Sequence, residues 1–256
     1  MLDSFPENFT AVVQGSSRGI GLGLVRYLLD QERAGQIIAC ARDPESSSGL
    51  AELVESHGPR LQTQRLDVTD AQQLKALADR LQEEDLRPHL VLNVAGILHG
   101  DNGLAPEKRL EDLDFEQLQR VFAVNAFGPA LLCRYLLPVM AGDGKAVLAA
   151  LSARVGSIGD NRLGGWYAYR SSKAALNQFL KTASIEARRR FKNVVIAALH
   201  PGTTDTDLSR PFQANVPENK LFSTEYVAER LLSVIDQIDL DDSGGFFAWD
   251  GEAIPW

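Results

Sequence analysis

Residues 9–21 read Phe-Thr-Ala-Val-Val-Gln-Gly-Ser-Ser-Arg-Gly-Ile-Gly, and this stretch decides the fold. A short apolar run, residues 9–14, leads into a glycine-rich turn, and apolar side chains then recur at helical spacing from Ile20. Glycines let a backbone approach a pyrophosphate, and a helix N-terminus offers it free N–H groups. The spacing Gly15-x-x-x-Gly19-x-Gly21 differs from the simpler Gly-x-Gly-x-x-Gly, so a bare turn is the alternative. The place of the glycine-rich turn directly after the first strand favours a dinucleotide site over a bare turn.

The rest of the chain keeps this alternation of strand and helix. Apolar runs separated by helical stripes predict six further strands, at residues 36–41, 60–66, 90–94, 145–151, 193–199 and 245–249. No hairpin signal joins them, so the sequence predicts an α/β fold, a doubly wound (Rossmann) parallel sheet of about seven strands with helices on both faces. Because no repeat or linker divides the chain, we expect a single domain, residues 1–256.

The sequence also predicts where one helix begins and whether another is buried in the core or crosses a membrane. Thr69 and Gln72 have the spacing of a capping box, so they predict the start of the helix after the third strand. Residues 121–141 are nearly as apolar as a membrane span. Two prolines and a central Arg134 interrupt that segment, which favours a buried core helix over a span.

The overall composition excludes some partners. The 256 residues are 45% hydrophobic and 23% charged, as in ordinary globular proteins, and the net charge is −8. That charge argues against a nucleic-acid or anionic-membrane surface, since both need basic patches. Cys40 and Cys133 lie in apolar runs without metal or redox spacing, so we expect buried reduced thiols and no metal site. Residues 1–10 show no signal peptide, and we expect a cytoplasmic protein.

Residues 166–177, Trp-Tyr-Ala-Tyr-Arg-Ser-Ser-Lys-Ala-Ala-Leu-Asn, contain a candidate reactive pair. Tyr169 and Lys173 are four residues apart, so on a helix their side chains share one face. An ammonium beside a phenol favours the phenolate and lowers the phenol pKa. Such a tyrosine can exchange a proton with an alcohol or carbonyl oxygen near neutral pH. The motif is weak alone, and it gains weight from the nucleotide site that precedes it.

Basic residues near the glycine-rich turn bear on the choice of cofactor. A site selective for NAD usually places an acidic residue near the end of the second strand, and residues 36–41 contain none. Arg18 and Arg42 can instead hold a 2′-phosphate, which guanidinium groups suit by charge and geometry. Asp43 is acidic, but it lies one residue beyond the position expected for the acidic residue of an NAD-selective site. The arginine pair therefore favours NADP(H), with NAD(H) and solvated arginines as the alternatives.

Other candidate site residues lie where strands end. The carboxyl ends of parallel strands share one rim, so residues 152–157, the Tyr169 helix and the glycine turn should meet there. Residues 93–96, Asn-Val-Ala-Gly, are small enough for backbone to pass close to a ribose. Asn125 lies inside the long apolar helix, either as a clamp on neighbouring backbone or as part of a proton path.

Two loops border the predicted site. Residues 98–109 predict a loop in which His99 is a surface residue. Residues 203–222 are polar and interrupted by prolines, which is typical of a mobile lid.

Taken together, these motifs resemble the short-chain dehydrogenase/reductase family over essentially the whole chain. The matching pieces are Gly15-x-x-x-Gly19-x-Gly21, Asp67, Asn93-x-Ala95-Gly96, Asn125, Tyr169-x-x-x-Lys173 and Pro201-Gly202. Residues 153–158, 164–173 and 250–256 resemble the C-factor and sniffer-like carbonyl reductase branch of that family.

The resemblance implies specific roles. Tyr169 would be the acid/base, Lys173 would hold the nicotinamide ribose and lower the tyrosine pKa, and Asn125 would anchor a water in the proton relay. Asp67 would contact adenine, and Pro201, Gly202 and the threonines beyond would meet the nicotinamide. The implied cofactor-binding residues are Gly15, Ser17, Arg18, Gly19, Ile20, Gly21, Arg42, Asp67, Val68, Asn93, Ala95, Gly96, Tyr169, Lys173, Pro201, Gly202, Thr204 and Thr206. The resemblance also suggests a homodimer, in which two apolar helices pair across a two-fold axis.

One position departs from the family pattern. The family usually ends its fifth strand in a serine pair whose second member holds the substrate oxygen, and here the pair reads Ser152-Ala153. Either Ser157, which lies further out on the rim loop and which we favour as a catalytic residue, or Ser152 replaces it. Otherwise Tyr169 holds the oxygen alone. Loop capping is the alternative role for both serines.

The sequence therefore predicts an NADP(H)-dependent oxidoreductase that interconverts a small-molecule carbonyl and an alcohol. The alternative from another class is a catalytically silent NADP-binding signalling module, which the Ala153 departure allows. A methyltransferase using S-adenosylmethionine is a weaker option, because it would not explain Tyr169, Lys173 or the arginine pair.

Overall fold

The order of the strands creates the place where a ligand can bind. In the computed structural model, which describes residues 2–101, 103–140 and 142–256, seven parallel strands form one sheet in the order β3-β2-β1-β4-β5-β6-β9. The order reverses between β1 and β4, so loops diverge there and leave a crevice at the carboxyl ends of the strands. The strands are β1 Phe9–Gln14, β2 Ala34–Ala41, β3 Leu61–Arg65, β4 Pro88–Asn93, β5 Ala146–Leu151, β6 Val194–His200, β7 Thr203–Thr204, β8 Leu221–Phe222 and β9 Gly245–Ala248.

The predicted doubly wound α/β fold is confirmed, and each predicted strand agrees with the structure to within two residues. The sequence did not predict β7 and β8, which are two residues long and pair with each other outside the main sheet. The single-domain organisation stays a prediction.

Helices cover both faces of the sheet. They are α1 Gly19–Leu29, α2 Ser48–His57, α3 Ala71–Glu83, α4 Phe115–Phe122, α5 Gly128–Leu136, α6 Tyr167–Arg190 and α7 Thr224–Gln237. Helices α1, α2 and α7 pack in one hydrophobic layer, and α3, α5 and α6 in the other. Strand residues alternate between the layers, as in β5, where Val147 joins the first and Leu148 the second. Leu28 of α1 is fully buried, so Leu28→Ala should cost about 2–5 kcal/mol of stability.

The start of α3 corrects one prediction. Asp70, not Thr69, is the N-cap: its Oδ1 accepts hydrogen bonds from the N–H groups of Gln72 and Gln73 at 2.9 and 3.1 Å. The Gln73 side chain donates back to Asp70 Oδ2 at 2.8 Å. Thr69, one residue before Asp70, does not cap the helix; its hydroxyl donates to Asp67 Oδ1 at 2.8 Å. The carboxylate is the better acceptor for the helix N-terminus, since it also complements the helix dipole.

A widened turn interrupts the long apolar helix. Residues Ala123–Phe127 form a π-helical turn between α4 and α5, and a 3₁₀ turn, Leu137–Val139, ends the helix. By length and composition, Phe115–Val139 is the one helix of the described residues that could cross a membrane. Half of its most apolar stretch is buried in the protein. Leu132 and Leu136 are fully buried against the sheet, which favours the predicted core helix.

Both cysteines lie inside the core. Cys40 of β2 and Cys133 of α5 are buried, unpaired thiols, as the sequence predicted. Burial raises the pKa of each to about 12. A thiol with so high a pKa is almost entirely protonated at neutral pH, so neither cysteine is a reactive nucleophile.

Candidate active site

An open cleft of about 710 Å³ lies at the carboxyl ends of β1, β4, β5 and β6. It brings together most of the residues that the sequence predicted for the site. Those lining it are Gly15, Ser17, Arg18, Gly19, Ile20, Arg42, Asp67, Val68, Ala95, Gly96, Tyr169, Lys173, Pro201 and Thr206.

Six predicted site residues do not line the cleft: Gly21, Asn93, Asn125, Ser157, Gly202 and Thr204. The two glycines serve packing. A Cβ atom at Gly21 would come within 2.0 Å of Gly15 O, so only glycine lets α1 approach the end of β1. A Cβ atom at Gly202, whose φ is +73°, would lie 2.7 Å from the Phe222 ring. Asn93 and Thr204 are buried, and their cofactor contacts stay predictions.

The glycine-rich turn suits an anion. Gly15 has φ +89°, and a Cβ atom there would lie 2.7 Å from Ala95 N, so the turn passes directly against the end of β4. Helix α1 begins at Gly19, and the extended N-cap residue Arg18 makes no side-chain bond to the first turn. The first N–H groups of α1 therefore remain available to a phosphate at the positive end of the helix dipole.

Two positive charges border the same end of the cleft. Arg42 is exposed directly after β2 and has no acidic partner within the described ranges. The Arg18 Nη1 lies 3.4 Å from Asp207 Oδ2. Asp67, on the neighbouring loop, accepts from the Thr69 N–H at 2.9 Å and from the Thr69 hydroxyl at 2.8 Å through Oδ1. Its Oδ2 is left for another donor. The described residues contain no group of three or more His, Cys, Asp or Glu side chains that could hold a metal ion.

Tyr169 and Lys173 lie on one face of α6, as predicted. The Lys173 Nζ donates to the Leu151 carbonyl at 2.7 Å and lies 5.8 Å from the centre of the Tyr169 ring. Burial lowers the pKa of Lys173 to about 8.

Burial also raises the pKa of Tyr169 to about 12. The predicted lowering of the tyrosine pKa by Lys173 is therefore wrong for this geometry. The ammonium is held on the Leu151 carbonyl and is itself partly discharged by desolvation, so the loss of water around the phenol is the larger effect.

Asn125 lies in the π-helical turn, fully buried. Its Oδ1 accepts from the Ile97 N–H at 2.8 Å, and its Nδ2 donates to Ile97 O at 2.8 Å and to Ser172 Oγ at 3.2 Å. Ser172 Oγ in turn donates to Tyr169 O at 2.8 Å. Of the two roles considered for Asn125, this geometry is that of the backbone clamp, and it connects the loop after β4 to the helix that carries Tyr169. A part in proton transfer stays a prediction.

The two candidate serines differ in position. Ser157 is buried outside the cleft, and its hydroxyl accepts from the Asp160 N–H at 3.1 Å, which is loop capping. Ser152 lines the cleft, and its hydroxyl donates to Asn177 Oδ1 at 2.6 Å. The Nδ2 of Asn177 is buried without a hydrogen-bond partner. The preference for Ser157 over Ser152 thus gains no support from the structure.

The start of α6 depends on a residue that the sequence analysis missed. Gly164, Gly165 and Trp166 have φ values of +66°, +65° and +53°, three consecutive left-handed residues before the helix begins. Glu107 holds this turn: its carbonyl accepts from the Trp166 N–H at 2.6 Å, and its Oε2 accepts from the Ala168 N–H at 3.1 Å. Glu107 is 5% exposed, an unusual burial for a carboxylate. Only the three-dimensional fold reveals its role, since the sequence around it reads as a plain loop.

The predicted lid, residues 203–222, contains β7, β8 and the 3₁₀ helix Arg210–Asn215. The sequence predicted that His99 is a surface residue, but it is half-buried, lines the cleft and contacts this lid. Its Nε2 lies 3.1 Å from Asp207 O and 3.2 Å from Leu208 O. Since carbonyl oxygens only accept, Nε2 carries the proton. Phe212 packs between the His99 and Trp166 rings, with centroids 5.8 and 4.9 Å away.

The short chain dehydrogenase family model matches residues 9–217, which is most of the chain. The chain belongs to the short-chain dehydrogenase family. It is thus an oxidoreductase by family, as the motifs of its sequence predicted.

Known proteins resemble the chain, two of the three described here over nearly its whole length. It is 30% identical, over 247 residues, to 1-hydroxy-2-glutathionyl-2-methyl-3-butene dehydrogenase of a Rhodococcus species, covering 96% of this chain and 99% of the relative. The NADPH-bound carbonyl reductase from chicken fatty liver superposes with a TM-score of 0.86 at 28% identity, covering 99% of this chain and 96% of that one. The C-signal protein of Myxococcus xanthus is 35% identical over 147 residues, 57% of this chain and 83% of the relative. That similarity agrees with the branch that the sequence resembles.

As a short-chain dehydrogenase, the chain has further cleft residues that its motifs did not indicate. These are Gln14, Ala41, Thr69, Val94, Ile97, His99, Gly100, Asp101, Val124, Leu151, Asp207 and Leu208. Gln14, Ala41, Val94 and Leu151 are the last residues of predicted strands, so the rule that ligands bind at carboxyl ends could have found those. Asp207 and Leu208 could not be found in that way, because they come from the lid.

Proposed function

We propose that this chain is an NADP(H)-dependent oxidoreductase that interconverts a carbonyl compound and an alcohol. The observation that carries the proposal is that one cleft contains the glycine-rich turn, the basic pair Arg18 and Arg42, and the Tyr169–Lys173 pair. The chicken reductase, whose structure contains NADPH, supports the choice of cofactor.

The residues of the cleft fit each part of the cofactor. The turn at Gly15 and the free N–H groups of α1 suit the pyrophosphate, and Arg18 and Arg42 would hold the 2′-phosphate. The second carboxylate oxygen of Asp67 is left for the adenine amine. Lys173 has further N–H groups beyond the one bonded to Leu151 O, and these would hold the nicotinamide ribose. When bound, NADP(H) supplies or accepts the hydride.

Tyr169 provides the proton. With its pKa raised to about 12 by burial, its phenol stays protonated at neutral pH and is ready to donate to a carbonyl oxygen. Lys173 is held by Leu151 O at the end of β5, so the ammonium is fixed 5.8 Å from the centre of the Tyr169 ring.

A second donor for the substrate oxygen can come from Ser152. As it stands, the Ser152 proton is used on Asn177 Oδ1, while Asn177 Nδ2 lacks a partner. A half-turn of the Asn177 amide would let Nδ2 donate to Ser152 Oγ and would free the Ser152 proton for the cleft. We therefore assign to Ser152, and not to Ser157, the role of holding the substrate oxygen, which a serine at position 153 usually has in the family.

The test is to follow NADPH absorbance against a panel of aldehydes, ketones and quinones. Tyr169→Phe keeps the ring and loses only the hydroxyl, so NADPH should bind with nearly unchanged affinity. Turnover should fall by about 10²–10⁴, the usual contribution of a positioned proton donor. Full activity of Tyr169→Phe on a substrate of the unaltered chain would show the mechanism to be wrong.

One observation favours a second candidate, a catalytically silent NADP-binding module. Ala153 lacks the hydroxyl that holds the substrate oxygen in most of the family, and the neighbouring Ser152, which lines the cleft, donates its proton to Asn177 Oδ1. Binding of NADPH without turnover on any carbonyl of the panel would support that function. The retained Tyr169 and Lys173 favour the enzyme.

A further inference from the structure

A short segment of the lid crosses the cleft and is attached on both sides. We call residues 206–208 the strap, and all three line the cleft. On one side, His99 Nε2 contacts Asp207 O and Leu208 O. On the other side, Arg18 Nη1 lies 3.4 Å from Asp207 Oδ2, and a Cβ atom at Gly19 would lie 3.2 Å from Thr206 Cγ2. The strap therefore packs directly on the glycine-rich turn.

The attachment to the glycine turn is an ion pair that can be exchanged. Arg18 and Asp207 have side chains 74% and 51% exposed, so both can move without disturbing the core. Asp207 also pairs with Arg210 at 3.0 Å through its other oxygen, so the carboxylate stays neutralised if Arg18 leaves. The Arg18 stem is long and flexible, and its head group can turn from the strap towards Arg42.

We propose that Asp207 competes with the 2′-phosphate of the cofactor for Arg18, and that this competition helps to set the selectivity between NADP(H) and NAD(H). The inference rests on the proposed function, in which Arg18 holds the 2′-phosphate. A phosphate dianion makes stronger charge-assisted bonds than one exposed carboxylate at 3.4 Å, so it displaces Asp207. The affinity gained from the phosphate is reduced by the ion pair that must break.

A dinucleotide without the 2′-phosphate leaves the pair intact. Arg18 then continues to attach the strap to the glycine turn across the cleft. The two cofactors thus leave the strap in different states: the Arg18–Asp207 ion pair is present under NAD(H) and broken under NADP(H), while the contacts with His99 and Gly19 remain.

The test uses two ligands that differ only in the phosphate, adenosine 2′,5′-bisphosphate and adenosine 5′-monophosphate, with binding measured by calorimetry. Asp207→Asn removes the competing charge, and it should tighten the bisphosphate by about two- to fivefold, the range that an exposed ion pair allows. It should leave the monophosphate unchanged. Asp205→Asn is the matched control, because Asp205 lies two residues away, is exposed, and bonds Gln213 in place of Arg18. An Asp207→Asn effect no larger than that of Asp205→Asn, or equal for both ligands, would overturn the inference.

The variant Arg18→Ala separates this inference from the proposed function. If Arg18→Ala leaves the preference for the bisphosphate unchanged, Arg18 does not hold the phosphate, and both ideas about Arg18 fail. If Arg18→Ala lowers that preference while Asp207→Asn has no selective effect, only the competition is wrong. In the double variant Arg18→Ala/Asp207→Asn, the gain from Asp207→Asn should disappear. A gain that persists would come from the released Arg210 and would also refute the competition.

Discussion

The carboxylate of Glu107 accepts a hydrogen bond from the backbone N–H of Ala168 at 3.1 Å, across 61 residues of sequence. A loop between β4 and α4 thereby fixes the first turn of the helix that carries Tyr169. A negative charge at a helix N-terminus is also favourable for the helix dipole. The reactive tyrosine thus depends on a residue that belongs to neither its own helix nor a neighbouring strand.

Glu107→Ala should loosen the start of α6. Loss of such a cap costs about 0.5–2 kcal/mol of stability, and a displaced Tyr169 should lower kcat by about tenfold or more. Glu107→Gln is the matched control, because its amide oxygen can still accept from Ala168. Chemical unfolding and steady-state kinetics measure the two effects. Equal kcat values for Glu107→Ala and the unaltered chain would contradict this positioning role.

Arg42→Ala should erode the preference for NADPH over NADH. Loss of one charge-assisted hydrogen bond to a phosphate costs about 1.5–3 kcal/mol, which is about ten- to a hundredfold in affinity for NADPH. NADH affinity should hardly change. Arg65→Ala, at the exposed end of β3 and outside the cleft, controls for the change in net charge. Cofactor fluorescence titrations give both constants, and equal affinities for NADPH and NADH in the unaltered chain would refute the prediction.

The serine substitutions should have unequal effects. Ser152→Ala removes the cleft-lining hydroxyl, and kcat should fall by about 10² or more, as for the loss of an oxyanion donor. Ser157→Ala should leave kcat close to its original value, because that hydroxyl only caps a loop. Ala153→Ser should raise kcat only if Ser152 is a poor substitute. The reverse order of losses for Ser152→Ala and Ser157→Ala would return the role to Ser157.

Asp236 should make stability depend on acid pH. Burial acts to raise its pKa, but hydrogen bonds from Ser4 and from the backbone of Asp3 and Leu2 lower it below 3.8 overall. Because the pKa of Asp236 is lower in the folded than in the unfolded chain, its ionised carboxylate stabilises the fold at pH values above the ordinary pKa. This contribution is lost as the pH falls through the lowered pKa. Asp236→Asn lacks the charge at every pH, so its Tm should be lower at pH 7. The difference from the unaltered chain should shrink below pH 4. Parallel thermal melts from pH 7 to pH 3 measure this, and a constant difference would count against it.

An exposed aromatic cluster should hold the proposed dimer together. Phe127 and Phe179 are 49% and 41% exposed on the outer surfaces of the helices, and their ring centres lie 6.5 Å apart. Phe127→Asp would bury a charge in a two-fold interface and should give a monomer. Leu240→Asp, at an equally exposed position elsewhere, is the control. Light scattering at micromolar concentration decides, and a monomeric unaltered chain would rule out the prediction.

Features that depend on neighbouring residues could be predicted from the sequence. The glycine turn and the strands are local patterns, so the fold and most of the cleft followed from them. The cap of α3 was misplaced by one residue, because Thr69 and Asp70 are both good caps and only the bond from Thr69 to Asp67 decides between them.

Features that depend on distant contacts could not be predicted. His99 contacts the strap across more than a hundred residues, and no local pattern announces it. The pKa of Tyr169 is set by burial, which the spacing of Tyr169 and Lys173 does not reveal. The Ser152–Asn177 pair likewise exists only because β5 and α6 pack together.

The π-helical turn at Ala123–Phe127 gives the long helix two rotational phases. A π turn contains about one residue more than an α turn, and each residue of an α-helix advances about 100° around its axis. The wide turn takes up that extra residue within one rotation, so the sequence positions that face the core shift by one after it, while α4 and α5 keep their faces in space. Gly128, where a Cβ atom would lie 2.8 Å from Val68 Cγ1, is the first residue of α5 after this shift. Asn125, which bonds the Ile97 backbone, lies within the turn, so the helix accommodates this extra residue without turning its second half away from the core.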